Sequence, residues 1–256
     1  MRRREEVVEG IPVILVEPDE QRGAPVLWMS YLGGYGERNL PMLERFAAAG
    51  HPAASFDAPG HGGRGSGDRQ EFARHVLAAF RQRMWPLLGR TTLEALRVLD
   101  WLGGEADASE GFLVGGFSMG GDAAVALAGI DQRVRRVAAI GSTPDWSRPG
   151  MHELGDSMRP LDQGEDDAYA EWFAAQLDPM RHLDRYRRDL AIDFELGAED
   201  RHIPEANARA FADALAALDP PASATVEINV HPGLDHGVVS DQTAKDAAFA
   251  FLLDPA

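Results

Sequence analysis

Residues 115–121 read Gly-Gly-Phe-Ser-Met-Gly-Gly and join an apolar run to an alanine-rich run at 122–128. The first run is typical of the end of a buried strand, and the second is typical of the start of a helix. Gly116 and Gly120 fit a sharp turn between them, because a Cβ at either would collide with the neighbouring strand or helix. Such a turn would present the Ser118 hydroxyl to a base and to the free N–H groups of the helix N-terminus.

Strand-like and helix-like segments alternate along most of the chain, which favours a mainly parallel sheet with helices on both faces. At 256 residues the chain is long enough for one large α/β domain and short for two, so residues 1–256 are predicted to form a single domain. Strands are predicted at 11–16, 25–30, 53–57, 134–140, 190–196 and 225–230. Helices are predicted at 40–49, 72–80, 91–102, 165–177, 204–218 and 243–253. In the helix at 91–102, the spacing predicts a buried stripe of Leu93, Leu96, Leu99, Trp101 and Leu102.

Residues 142–186 interrupt this alternation. Loop-forming residues at 142–150 are followed by an acidic, helix-like stretch that contains Tyr169, Trp172 and Phe173. The segment either folds over the sheet edge as a lid or forms a surface excursion with its own apolar cluster. Likewise Trp146, Trp172 and Phe173 either line an apolar acyl pocket or anchor the segment.

The composition limits the classes of partner. The absence of cysteine excludes disulfides, thiolate metal ligands and cysteine nucleophiles. The formal charge of −16 argues against nucleic acid as a partner, and every basic residue except Lys245 is an arginine, as high-GC coding would produce. No stretch reaches the roughly 18 apolar residues that a membrane span needs, and the basic N-terminus lacks the apolar part of a signal peptide. We therefore expect a cytoplasmic protein without a membrane span.

A serine hydroxyl becomes a good nucleophile when a histidine accepts its proton and a carboxylate fixes the tautomer of that histidine. Asp200 follows the strand predicted at 190–196, and its offset from Gly197 and Pro204 favours it over Glu199 and Asp193. His236 follows the last predicted strand and is favoured over His231, which is typical of a packed loop residue before proline. The sequence thus predicts a set formed by Ser118, Asp200 and His236.

The remaining histidines have simpler interpretations. His61 lies in a glycine-rich turn, where it is expected to bind the loop backbone, and His202 is expected at the surface beside the acid loop. A metal site built from His202, His231, Asp235 and His236 needs convergent geometry that these spacings do not suggest. No metal and no cofactor are therefore expected.

These motifs together resemble the α/β-hydrolase superfamily, and the resemblance covers nearly the whole chain. Residues 116–121 resemble its nucleophile elbow, 197–204 its acid loop G-x-x-D-x-x-x-P, His236-Gly237 its histidine loop, and 57–62 its D-x-x-G-H-G turn. The chain is most similar to small bacterial esterases of the dienelactone-hydrolase and prolyl-oligopeptidase-like branches. It departs from dienelactone hydrolases proper, which carry cysteine at the elbow, so their substrate is not transferred.

The resemblance also implies an oxyanion hole. Members commonly have His-Gly after the strand that corresponds to 25–29, whereas this chain has Ser30-Tyr-Leu-Gly-Gly34. Backbone N–H groups of Met119 and of Leu32, or of Tyr31, are then expected to hold the oxyanion. The Tyr31 hydroxyl is an alternative donor.

The expected function is therefore that of a serine hydrolase, a carboxylesterase that cleaves a small-molecule ester through an acyl-enzyme. One alternative keeps the fold and changes the bond, giving a peptidase or amidase on short peptides. The other is a non-catalytic member of the fold that binds a ligand or partner. The sequence does not predict the acyl and alcohol groups or the oligomeric state.

Overall fold

A computed structural model describes residues 1–65 and 67–254 of the chain. Within these residues the strands are β1 (Arg2–Val8), β2 (Ile11–Glu17), β3 (Val26–Met29), β4 (Ala53–Phe56), β5 (Phe112–Phe117), β6 (Val134–Ile140), β7 (His152–Glu153), β8 (Asp156–Pro160), β9 (Ala191–Gly197) and β10 (Thr225–His231). The α-helices are α1 (Leu40–Ala48), α2 (Arg69–Leu77), α3 (Phe80–Glu105), α4 (Met119–Ile130), α5 (Ala168–Leu177), α6 (Glu205–Ala216) and α7 (Gln242–Leu253).

Eight strands form one sheet in the order β1-β2-β4-β3-β5-β6-β9-β10. The pairs β1–β2 and β2–β4 are antiparallel, and every later pair along the sheet is parallel. All six residues of β5 are buried, as expected of a central parallel strand covered on both faces. The prediction of a mainly parallel sheet with helices on both faces is confirmed.

Two buried apolar clusters hold the helices against the sheet. One contains residues of α1 and α7 with the Trp28 and Phe117 side chains of the sheet, and the other contains residues of α3, α4 and α6. Because β3, β5, β6, β9 and β10 run parallel, their carboxyl ends share one edge of the sheet. Loops that follow these strands therefore meet at that edge.

The long helix α3 corrects the bounds of two predicted helices. Residues 72–80 and 91–102 were expected to form separate helices, and two helices are present, but α2 ends at Leu77 and α3 already begins at Phe80 and continues through Pro86 to Glu105. Tertiary packing outweighs the local signals, since Gly89 lies so close to Phe173 of α5 that a Cβ there would be 2.8 Å from the Phe173 Cγ.

The buried stripe of α3 is also rotated from the predicted one. Leu93 is 38% exposed, whereas Leu99 and Leu102 are buried as expected. Thr91 and Thr92 are buried in place of Leu93. Their hydroxyls donate to the carbonyls of Leu87 and Leu88 at 2.7 and 2.9 Å. A polar side chain that satisfies its hydrogen bond within the helix can enter the core, and apolar spacing alone does not reveal this.

Residues 142–186 pack mainly on α3. The Trp85 indole donates to the Trp146 carbonyl at 2.8 Å, and Trp146 itself is fully buried. Phe173 is buried on the same side, whereas Trp172 is 54% exposed. The short hairpin β7–β8, which the sequence did not predict, lies in this segment.

No helix within residues 1–65 and 67–254 combines the length and the apolar character that crossing a membrane requires.

Candidate active site

Ser118 lies on the turn between β5 and α4 with φ 48° and ψ −118°. This left-handed conformation is costly for a residue with a side chain and is maintained by the packing around it. A Cβ on Gly116 would be 2.6 Å from the Met29 carbonyl oxygen, and one on Gly120 would be 2.6 Å from the Met29 carbonyl carbon. The glycines therefore allow the turn to press against β3, as the sequence predicted.

Asp200 lies in the loop after β9 and is buried. Its Oδ1 accepts hydrogen bonds from the backbone N–H groups of His202 and Ile203, both at 2.9 Å. Its Oδ2 lies 2.7 Å from Nδ1 of His236. The backbone donors orient the carboxylate, which leaves one oxygen aimed at the imidazole.

His236 begins a short 3-10 turn after β10, and its Nε2 lies 3.1 Å from the Ser118 Oγ. The loops of Asp200 and His236 are joined by a backbone bond from Glu199 N–H to the Leu234 carbonyl at 2.9 Å. Gly197 makes this possible, because a Cβ there would be 2.9 Å from the Leu234 carbonyl carbon. The structure thus brings Ser118, His236 and Asp200 into one hydrogen-bonded series.

The competing candidates lie elsewhere. Asp193 is buried inside β9, and Glu199 is exposed beside the acid loop. His231 ends β10, where its Nε2 contacts the buried Glu195 carboxylate. In the structure none of the three takes part in the series that contains Ser118.

The segment after β3 runs next to the serine turn. Met29 of β3 pairs with Gly116 of β5, so residues 30–32 continue alongside the end of β5 and Ser118. A tight turn follows, closed by the Gly34 N–H donating to the Tyr31 carbonyl at 2.8 Å. On the other side, Met119 is the first residue of α4, and N–H groups in a first helical turn have no acceptor within the helix.

His202 corrects a prediction, because it is buried rather than at the surface, with 7% exposure. Its ring packs edge-on against His236 at 5.0 Å between centroids, and its Nδ1 lies 3.0 Å from the His152 carbonyl. Burial lowers the pKa of His202 to about 3, and the Arg148 charge adds to the shift. His202 is therefore a neutral ring that supports His236, and no local sequence pattern marked it.

His61 behaves as expected from its glycine-rich turn. Its Nδ1 lies 2.9 Å from the Pro59 carbonyl, and burial lowers the pKa of the imidazole. The ring also packs edge-on against Phe72. These contacts are those of a residue that holds its loop.

A buried ion pair beside the serine turn was not anticipated. Asp122, one turn into α4, accepts from the Thr143 N–H at 2.7 Å and pairs with Arg148, which is also fully buried. Burial raises the pKa of Asp122, and the Arg148 charge opposes that rise. The pair ties the start of the 142–186 segment to the helix that follows Ser118, a contact between distant residues that spacing does not encode.

The described residues contain no group of three or more His, Cys, Asp or Glu side chains with the geometry to hold a metal ion.

No protein-family model matches the chain, and no curated protein matches it significantly. Solved structures do resemble it. TT1662 of Thermus thermophilus is 23% identical, with a TM-score of 0.65 over 98% of this chain and 97% of that one. A puromycin-hydrolyzing peptidase of Mycobacterium tuberculosis is 18% identical, with a TM-score of 0.70 over all of this chain and 40% of that one.

A candidate dienelactone hydrolase of Klebsiella pneumoniae is 17% identical, with a TM-score of 0.67 over 98% of this chain and 96% of that one. These similarities, together with the sheet order and the position of the serine turn, show that the chain has the α/β-hydrolase fold. The fold that the motifs implied is confirmed.

Proposed function

We propose that this protein is a serine hydrolase that cleaves a carboxylic ester through an acyl-enzyme. The proposal rests on one observation, the series in which Asp200 Oδ2 is 2.7 Å from His236 Nδ1 and His236 Nε2 is 3.1 Å from Ser118 Oγ. Each nitrogen of one imidazole thereby has a single partner, the arrangement that general-base activation of a serine requires.

In the first half of the reaction, His236 Nε2 takes the Ser118 proton while Oγ attacks the ester carbonyl carbon. Asp200 accepts from Nδ1–H, holds the tautomer and stabilises the imidazolium. The negative charge on the former carbonyl oxygen is stabilised by the N–H groups of Met119 and Leu32, with Tyr31 as the alternative donor. Each such donor contributes about 3–4 kcal/mol to lowering the barrier. The alcohol then leaves with the proton from His236.

In the second half, water attacks the acyl-serine. His236 takes a proton from the water as its oxygen bonds to the acyl carbon, and the Ser118 oxygen leaves with that proton. The acid product departs and the starting enzyme returns. No cofactor takes part in either half.

An amide is the second candidate bond, favoured by the likeness to the M. tuberculosis peptidase, of which this chain spans 40% of the length. Amide cleavage demands more of His236, because an amine leaving group must be protonated as it departs. Assays with 4-nitrophenyl acyl esters and amino-acyl 4-nitroanilides separate the two activities. Turnover of esters alone is the expected result.

Ser118→Ala tests the proposal directly. The variant should lose at least about a thousandfold in kcat on 4-nitrophenyl esters, because the nucleophile is removed, while its Tm stays close to that of the parent. Ser109→Ala, at an exposed loop serine, is the matched control and should keep full activity.

A fluorophosphonate probe gives a second readout. It should label the parent and Ser109→Ala, and it should not label Ser118→Ala. Undiminished turnover by Ser118→Ala would refute the mechanism. Absence of labelling and of turnover in the parent would instead favour a non-catalytic binding protein.

A further inference from the structure

A cavity of about 240 Å³ opens at the carboxyl edge of the sheet, beside the candidate active site. Its lining includes Phe117, which precedes Ser118, and Tyr31, which precedes Leu32. It also includes Val239, three residues after His236. Ligand sites for whole small molecules are usually about 300–1,000 Å³, so a cavity of this size suits one part of a substrate.

The charges around this cavity are unlike those of the rest of the chain. Arg38, Arg45 and Lys245 line it, and no acidic residue of the described chain does. The protein has 41 acidic and 25 basic residues, and Lys245 is its single lysine. Each of four other cavities in the described part has at least one acidic residue in its lining. We call the cavity with the three cations the cationic pocket.

Two of these cations contact a carbonyl or an aromatic ring rather than a carboxylate. The Lys245 ammonium donates to the Ser240 carbonyl at 2.8 Å and lies 5.9 Å from the centroid of the Phe117 ring. The Arg38 guanidinium stacks over Tyr35 at 5.6 Å. Within residues 1–65 and 67–254, neither forms an ion pair with a carboxylate.

Arg45 differs, because it pairs with Asp246 at 2.8 Å and stacks on Phe249 at 4.4 Å from the ring centroid. Its charge is therefore largely balanced by the protein itself. Like charges gathered without a counter-charge repel one another, and a bound anion removes that repulsion. Lys245 and Arg38 are thus the groups available to an incoming anion.

We propose that the cationic pocket binds a carboxylate carried by the substrate, so that the enzyme acts on acidic esters. The inference rests on the proposed hydrolase function and names its substrate class. The walls formed by Met42, Phe117 and Val239 are apolar, which suits a short alkyl chain between the ester carbon and the carboxylate. In a protein with a charge of −16, a preference for an anionic substrate requires a local positive site of this kind.

The test compares the half-ester 4-nitrophenyl adipate with its neutral methyl ester. A second pair, 3-carboxyphenyl hexanoate and phenyl hexanoate, carries the carboxylate on the alcohol side. The parent enzyme should favour the acidic member of at least one pair by about tenfold in kcat/KM, as one charge-assisted contact at a partly exposed site provides. Added KCl should reduce that preference.

Lys245→Met keeps the unbranched shape and most of the length of the side chain and removes its charge. It should reduce the ratio of acidic to neutral ester turnover by about tenfold, and adding Arg38→Gln should reduce the ratio further. Arg209→Met, on α6 and paired with Glu205, removes one charge elsewhere and should leave the ratio as it is. The proposal is wrong if the parent has the higher kcat/KM on the neutral member of both pairs. It is also wrong if Lys245→Met lowers kcat/KM on the acidic and neutral members equally.

Calorimetry with free adipate separates this inference from the proposed function, because binding needs no turnover. Adipate bound by the parent and not by Lys245→Met supports the cationic pocket even if no ester is cleaved. Inorganic phosphate bound in preference to adipate would overturn the carboxylate assignment.

Discussion

Two carboxylate–histidine pairs connect β9 and β10 or the loops that follow them. Glu195 contacts His231, Asp200 contacts His236, and each pair is separated by 36 residues. The two differ in which imidazole nitrogen the carboxylate occupies. Glu195 takes Nε2 of His231, whereas Asp200 takes Nδ1 of His236 and leaves Nε2 for Ser118. The comparison identifies what sets the proposed general base apart: the carboxylate leaves Nε2 of His236 unoccupied, and that nitrogen faces Ser118 at the sheet edge.

The Glu195 pair belongs to a buried polar network. Asn229 donates to Asp193 at 2.9 Å and to Glu195 at 3.1 Å, and both carboxyl groups are buried. The loops of Asp200 and His236 leave the ends of these same strands. The network therefore stabilises the strand ends that carry the two loops.

The largest expected difference comes from replacing each histidine with glutamine. His236→Gln should lower kcat/KM by about 10⁴-fold or more, because the base is lost. His231→Gln should change kcat/KM by no more than about threefold and lower stability by roughly 2 kcal/mol, because the buried Glu195 loses a partner. Ester kinetics and urea unfolding measure the two effects. Equal losses of activity in the two variants would show that the two carboxylate–histidine pairs do not differ in their contribution to catalysis.

The acids offer the next comparison. Asp200→Asn should lower kcat by about 10³–10⁴-fold, because an amide at this position favours the wrong tautomer of His236. Glu195→Gln should keep kcat within about threefold while lowering Tm. Near-parental turnover by Asp200→Asn would show that the carboxylate is not needed to orient the base.

The smallest expected effect is on the dependence of folding stability on pH. Burial, and then the charge of Glu195, raises the pKa of Asp193 from 3.8 to about 8. The folded chain therefore keeps a proton that the unfolded chain releases above pH 3.8. The stability that this proton gives the folded chain is complete below pH 3.8 and is lost as pH rises through about 8.

Asp193→Asn removes this titration, so its Tm should fall less than that of the parent between about pH 5 and pH 9. Asp213→Asn, at an exposed position on α6, is the control and should follow the parent curve. Thermal melts across this range measure the difference. Parallel curves for Asp193→Asn and the parent would assign the alkaline loss to other groups.

Much of the fold followed from local patterns. Short buried strands bounded by glycine and proline, such as β4 and β6, were predicted to within a residue or two. The continuity of α3 through Pro86 and the β7–β8 hairpin were not, because both depend on what packs against them. The single-domain organisation and the lid role of residues 142–186 stay predictions.

The sequence determined by itself the strand–turn–helix unit at Ser118 and the order of the serine, acid and histidine, because glycine, proline and apolar spacing restrict the backbone locally. Only the tertiary structure decided which nitrogen of each histidine is occupied, that His202 is buried against His236, and that cations surround a cavity beside the site. These features arise from side chains distant in the sequence that meet at one sheet edge. Their free energies depend on burial and on distances that no local pattern carries.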